Sequence, residues 1–249
     1  REGFDLRWIE GDALARASGS RCLGGALYQP RDGGLDPVAL ARGIARVGGF
    51  TVRRGCRVRH LEAEGDGVRL VADGGDLTAS RVVVTVNAYA PQLLPHLDGV
   101  VRPVRGQMLA TAPGPRPLTG VWYIDDGFQY LRQLPDGTVL LGGCRQTALD
   151  EEVGYREEPN PKVQGALDHF LAQTFPELSG RPVARRWAGI MAFTDDGLPL
   201  VGAVPELPGA IYAAGLSGHG LSLAFVLGRH LAACAAGEAE PSLFHRVVR

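Results

Sequence analysis

The chain has 249 residues, 45% of them hydrophobic, enough to bury a sizeable core in one large domain or two ordinary ones. Its 26 cationic and 27 acidic residues leave a formal charge of -1, so neither nucleic acid nor an anionic membrane surface is an expected partner. Cys22, Cys56, Cys144 and Cys234 form no CxxC pair and have no histidine at zinc spacing; the pattern argues against a metal site or a disulfide framework and fits a reducing cytoplasm.

No apolar run of eighteen residues escapes a charge, since Arg229 and His230 interrupt the longest, Leu221 to Ala236, and no membrane span is expected. The chain opens REGFDLRW, without an initiating Met or a leader-type apolar core, which raises the expectation that a segment once preceded Arg1. Lys162 is the only lysine.

The first predicted element is the amphipathic helix in LDPVALARGIARVGG. Asp36 is its N-cap, Pro37 sits at N1, and Val38, Ala41, Ile44 and Val47 share a face until Gly48. Short β-type runs come next: FTVRRGCRVRHLEAE, GVRLVAD and RVVVTVN, separated by Gly65-Asp66-Gly67 and Asp73-Gly74-Gly75. The unbroken run Val82 to Val86 predicts a strand buried on both faces, as in a parallel sheet. From about Val100, longer β-like segments carry prolines between them, and FQYLRQL with TVLLGGC, joined by Pro135-Asp136-Gly137, predicts an antiparallel hairpin. A second helix starts at Asn160-Pro161 and places Val163, Leu167, Phe170 and Leu171 on one face.

The end of the chain reads as strand AIYAAG, loop LSGHG and a nearly all-apolar helix. Such a turn places unpaired N–H groups where an anion or an electron-rich ligand edge can be held, or serves packing alone. Gly220, Ala224, Gly228, Ala232 and Ala236 form one small-residue stripe, which predicts a close neighbour: a sheet, a helix backbone or a flat cofactor. His219 opens this helix as a structural or a catalytic histidine. Just upstream, Thr194, Asp196, Gly197, Pro199 and Gly202 form a polar turn, either a surface hairpin or the second wall of a dinucleotide crevice.

In series, GGALYQPRDGGLDPVAL, RVVVTVNAYAPQLL, RPVRGQM, GFQYLRQLPDGTVLLGGCRQT and TDDGLPLVG followed by AAGLSGHG resemble the FAD-dependent D-amino-acid oxidase superfamily, which includes glycine oxidase and sarcosine oxidase. The resemblance covers nearly the whole chain. It implies an α/β plus α+β fold: an incomplete FAD-binding Rossmann-like domain, residues 30–91 and 193–249, interleaved with a mostly antiparallel substrate domain, residues 1–29 and 92–192 with a helix at about 161–175. It further implies oxidation of the C–N bond of an amino acid or secondary amine by hydride transfer to flavin.

By the same resemblance Thr194, Asp196, Gly215, Ser217, Gly218, His219, Gly220 and Leu221 contact FAD, and Arg132, Tyr130 and Arg145 face the substrate. An arginine fork matches a carboxylate, whereas a solvated strand arginine is the plain alternative for both. Tyr130 shares a strand face with Arg132, as part of an amine cage or as core.

The departures from the family pattern are specific. No GxGxxG occurs, so the pyrophosphate loop and most of the adenine site are missing. The family's glycine after the buried strand is Asn87. Met191 stands where sarcosine oxidase relatives link flavin through cysteine, and Ser222 where they hold a lysine, so the flavin expected is noncovalent. With no lysine to activate oxygen, a dehydrogenase or a slow oxidase fits the pattern. The alternative is a truncated or split chain, inactive and without FAD by itself, that needs an N-terminal partner segment; a homo-oligomer is also open.

Overall fold

A computed structural model describes residues 5–242. In chain order these form β1 (Arg7–Ile9), α1 (Gly11–Ser18), β2 (Ala26–Tyr28), α2 (Pro37–Val47), β3 (Val58–Glu64), β4 (Gly67–Ala72), β5 (Leu77–Ala79) and β6 (Val82–Val84). Next come α3 (Ala90–Leu93), β7 (Arg102–Thr111), β8 (Val121–Ile124), β9 (Gln129–Gln133) and β10 (Val139–Gly143). The chain continues through α4 (Pro161–Thr174), β11 (Val183–Phe193), β12 (Leu200–Ala203), β13 (Ala210–Ala214) and α5 (Gly220–Ala236). The fold is mixed α/β, with antiparallel sheets and a parallel pairing of β6 with β13.

Two compact units divide the chain. One comprises residues up to Phe50 together with Arg105–Glu152 and Arg156–Gly189; the other comprises Thr51–Val104, Val153–Tyr155 and the residues from Ile190 on.

The first unit is built on a five-stranded sheet of order β11-β7-β10-β9-β8. Its β9–β10 hairpin forms because Gly137 supplies a φ of 84° and the Asp136 carboxylate accepts from Thr138 N–H at 2.9 Å. Helix α4 starts where Asn160 accepts from Lys162 N–H and Pro161 fills N1. Its Val163, Leu167 and Leu171 pack with Leu109, Leu131, Leu141 and Phe175, and buried Cys144 belongs to this core. Asn160→Ala removes both this cap and the hydrogen bond that the Asn160 amide donates to Glu152, and is expected to cost about 2–5 kcal/mol in urea unfolding.

Helix α2 forms as its signals require: Asp36 accepts from both Val38 and Ala39 N–H. Its apolar stripe, however, has no buried residue, and Val47 is 77% exposed.

The second unit holds the three-stranded sheet β12-β13-β6 and the meander β3-β4-β5. Strand β13 is buried along its whole length. Tyr212, Ala210 and Ala214 join Val84, Leu94, Leu97 and Val101 in one core, while Ile211 and Ala213 face Leu227, Leu231 and Cys234 of α5 in another.

Three expectations need correction. The segment FTVRRGC is not strand, and pairing begins only at Val58. The run Val82 to Val86 is not buried on both faces: β6 is an edge strand that ends at Val84, and Val83 within it and Val86 beyond it are exposed. The small-residue stripe of α5 does not take the close contact either, because the sheet covers the neighbouring Leu227-Leu231-Cys234 face, which buries more apolar area, and Gly228 has open space around it.

Candidate functional site

Strands β6 and β13 run parallel, so their carboxyl ends lie at the same end of the sheet, the usual place for a ligand crevice in such sheets. The loop leaving β13 is bent by three left-handed φ values within four residues: Gly215 at 71°, Ser217 at 47° and Gly218 at 79°. It is held by Ser217 N–H donating to Ala192 O at 2.7 Å and His219 N–H donating to Leu216 O at 2.9 Å.

The turn at Thr194 meets this loop directly. Thr194 N–H donates to Ser217 Oγ at 3.4 Å, and the two buried hydroxyls lie 3.4 Å apart. Asp196 organises the turn by accepting from Leu198 N–H at 3.0 Å, while Thr194 Oγ1 donates to Leu198 O at 2.8 Å. Gly215 is required at this junction, since a Cβ there would overlap Thr194 Cγ2. At Gly218 a Cβ would instead enter nearly open space, 3.9 Å from the Phe193 ring.

Helix α5 then begins with His219 as N-cap but with no side-chain cap and no acidic residue in its first turn. The N–H groups of Gly220, Leu221 and Ser222 have no intrahelical acceptor, and the helix dipole adds positive character. His219 Nδ1–H donates to Ser217 O at 2.8 Å, so the ring stabilises the loop. Leu221 is exposed on the first turn. The eight positions read from the sequence as flavin contacts thus fall on one turn, the loop it touches and the first turn of α5.

The substrate candidates lie in the first unit. Tyr130 on β9 is opposite Gly142, where any side chain would overlap its ring, so the glycine makes room for the tyrosine. Arg145 lies just after β10 and over the Phe128 ring, 5.1 Å from its centroid. Burial lowers the pKa of Arg145, and the neighbouring Tyr130 and Tyr123 act in the opposite sense. Burial likewise raises the Tyr130 phenol, against the effect of Arg145. Arg132 is committed elsewhere: its Nη1 donates to Leu35 O at 2.6 Å, just before the α2 cap. Tyr130 and Arg145 are therefore neighbours, and Arg132 holds backbone.

Sequence reading missed Phe128, whose place in GFQY two residues before Tyr130 was the available signal. It also treated Asn87 only as a departure, although asparagine directly after a β run is a cue for a left-handed turn.

A parallel strand pair, a glycine bend and an uncapped helix start form the arrangement in which α/β proteins commonly hold a cofactor. The chain belongs to the DAO family, FAD dependent oxidoreductase, whose model matches residues 1–234. Among curated relatives it is similar to the probable oxidoreductase OrdL of Rhizobium meliloti, 27% identical over 83% of this chain and 48% of the relative. The glycine oxidase of Geobacillus kaustophilus is 29% identical over 91% of this chain and 60% of its own length. The bifunctional tRNA-modification protein MnmC of Cupriavidus necator is 31% identical over 87% and 34%. The chain thus spans about half the length of the first curated relatives it matches, 48% and 51%.

The crystal structure of the Geobacillus glycine oxidase superposes with a TM-score of 0.81 at 22% identity, covering 98% of this chain and 66% of that one. L-proline dehydrogenase from P. horikoshii gives 0.79 at 21%, covering 96% and 67%. At these identities the likeness establishes the fold. No helix among the described residues is long and apolar enough to cross a membrane.

Proposed function

We propose that the chain acts as an FAD-dependent oxidoreductase on the C–N bond of an amino acid or secondary amine. The observation that carries this reading is the Thr194–Ser217 contact, which sets glycine backbone beside the uncapped start of α5. The residues fit the group: N–H donors, a positive dipole and a first turn of α5 without an acidic residue suit the electron-rich edge of a reduced flavin. Bound FAD would supply the acceptor for the hydride leaving the carbon that carries the amine. The Thr194 turn and residues 215–221 would hold the ring from backbone N–H groups, without a covalent bond, Met191 offering no nucleophile. A small amino acid is the substrate class favoured by the names of the glycine oxidase and L-proline dehydrogenase relatives. Scattered cysteines support a cytoplasmic setting.

Arg145 is the proposed carboxylate anchor, because its guanidinium is half-buried over Phe128 beside Tyr130. In flavin-loaded protein, Arg145→Met should raise KM for the amino acid about 10–100-fold, the worth of a hydrogen bond to a charged group. Arg132→Met should instead lower thermal stability and leave KM near its original value. The reading as a whole is tested by adding FAD, desalting, recording the visible spectrum, and then adding amino acids without oxygen; flavin that stays on the protein but is bleached by none of them counts against it.

A second reading is favoured by the open faces of the second unit. The β6 edge with Val83, Val86 just beyond it, and α5, with Leu221, Val226 and Phe225 (67% exposed), are apolar surfaces that a further strand and helix would cover. On this reading the chain holds FAD only with a segment or partner that carries a pyrophosphate-binding glycine loop. Colourless protein alone, turning yellow when co-expressed with such a segment, would select it.

A further inference from the structure

We propose that Asn87 is a positioning residue that clamps the flavin-facing loop from the β6 side; the inference rests on the functional reading above. Strand β6 ends at Val84, opposite Tyr212 of β13. Three residues later Asn87 adopts a φ of 48°, a left-handed conformation that asparagine tolerates better than other side chains do. Glycine would take this turn with less strain, but it has no side chain to reach the neighbouring loop. Asn87 Oδ1 accepts a hydrogen bond from Leu216 N–H at 3.3 Å, across 129 residues of sequence.

Leu216 lies between the left-handed Gly215 and Ser217, where no helix or sheet ladder takes its N–H. The loop is therefore gripped on two sides, by Ala192 O at Ser217 and by Asn87 at Leu216. The Asn87 side has a firm mount. Tyr155 Oη donates to Ala88 O at 3.0 Å, and its ring stacks on Tyr89 with centroids 5.5 Å apart. Fixing Leu216 fixes the direction in which Gly218 and the first N–H groups of α5 point, the donors assigned above to the ring edge.

The test uses Asn87→Gly, which relieves the turn while deleting the clamp, Asn87→Ala, and Asn87→Asp, which keeps an acceptor. Hydrogen exchange at the Leu216 amide is followed by mass spectrometry without added flavin, and FAD affinity is then titrated. Exchange should rise in the glycine and alanine variants and return towards the original rate in the aspartate variant. FAD should bind about fivefold more weakly to Asn87→Gly, as expected for one lost net hydrogen bond. Unchanged exchange in Asn87→Gly overturns the clamp and leaves Asn87 a turn residue; raised exchange with unchanged FAD affinity overturns its role towards the cofactor. If the original chain holds no flavin, the functional reading falls, while the Leu216 exchange rates still decide whether the clamp exists.

Discussion

Gly215→Ala is expected to strip flavin from the protein and to destabilise it by about 2–5 kcal/mol, the sum of a left-handed alanine and an overpacked contact. The backbone at Gly215 has a φ of 71°, and the added methyl would overlap Thr194 Cγ2 at the point where turn and loop meet. Relief requires the loop to move away from Thr194, which breaks the contact with Ser217. Gly218→Ala separates binding from folding. Its methyl would meet only the Phe193 ring at 3.9 Å, so its stability loss should be about 1–2 kcal/mol, from the backbone alone. A ring lying against that backbone would nonetheless be pushed off. Thermal melts and flavin absorbance after desalting, measured on both variants, distinguish the two effects. Retention of flavin by Gly215→Ala at its original affinity would remove this junction from the cofactor site.

Glu152→Gln should cost about 3–5 kcal/mol, because it leaves the Arg105 guanidinium buried without its counter-charge. Arg105 is 4% and Glu152 1% exposed. The pair is bidentate, at 2.9 and 2.5 Å, and Gln107 and Asn160 donate to the same carboxylate at 2.7 and 3.0 Å. Burial acts to raise the Glu152 pKa, but the hydrogen bonds from Arg105, Gln107 and Asn160 together outweigh it and hold the carboxyl below its ordinary value. The folded value is therefore depressed relative to the unfolded one. The stabilisation is complete above the unfolded pKa, about 4.3, and is lost as pH falls through the lower folded value. Urea unfolding at neutral pH should show the full gap between original and variant protein, and the gap should close in acid. A gap that stays constant down to about pH 3 would contradict this assignment.

The parts legible in the sequence are those encoded within a few residues. Asp36-Pro37 and Asn160-Pro161 place the starts of α2 and α4 because the capping carboxylate or amide reaches N–H groups two or three positions on. The hairpin at Pro135-Asp136-Gly137 and the loop-to-helix step at Gly220 are equally local. Strand β11 and helix α1 gave weaker signals: β11 lacks regular alternation, and Glu10 at the start of α1 makes no side-chain cap. The covered face of α5 was not legible, since a stripe of small residues and a stripe of leucines are both apolar and β13 selects between them across the sheet. The site divides in the same way. Its glycine bends could be read directly, whereas the engagement of Arg132 with Leu35 O and the reach of Asn87 to Leu216 depend on residues 97 and 129 positions away.

Each unit also carries its own chemical gauge of integrity. Cys144 sits in the core under α4 and Cys234 on the covered face of α5, and burial raises the pKa of both thiols, whereas Cys22 is exposed. A thiolate-seeking alkylating reagent therefore marks Cys22 and the half-buried Cys56 first, and reaches Cys144 and Cys234 only as their surroundings open. Peptide mapping after labelling across a denaturant series would give one opening curve per unit, without any dye, tag or engineered tryptophan.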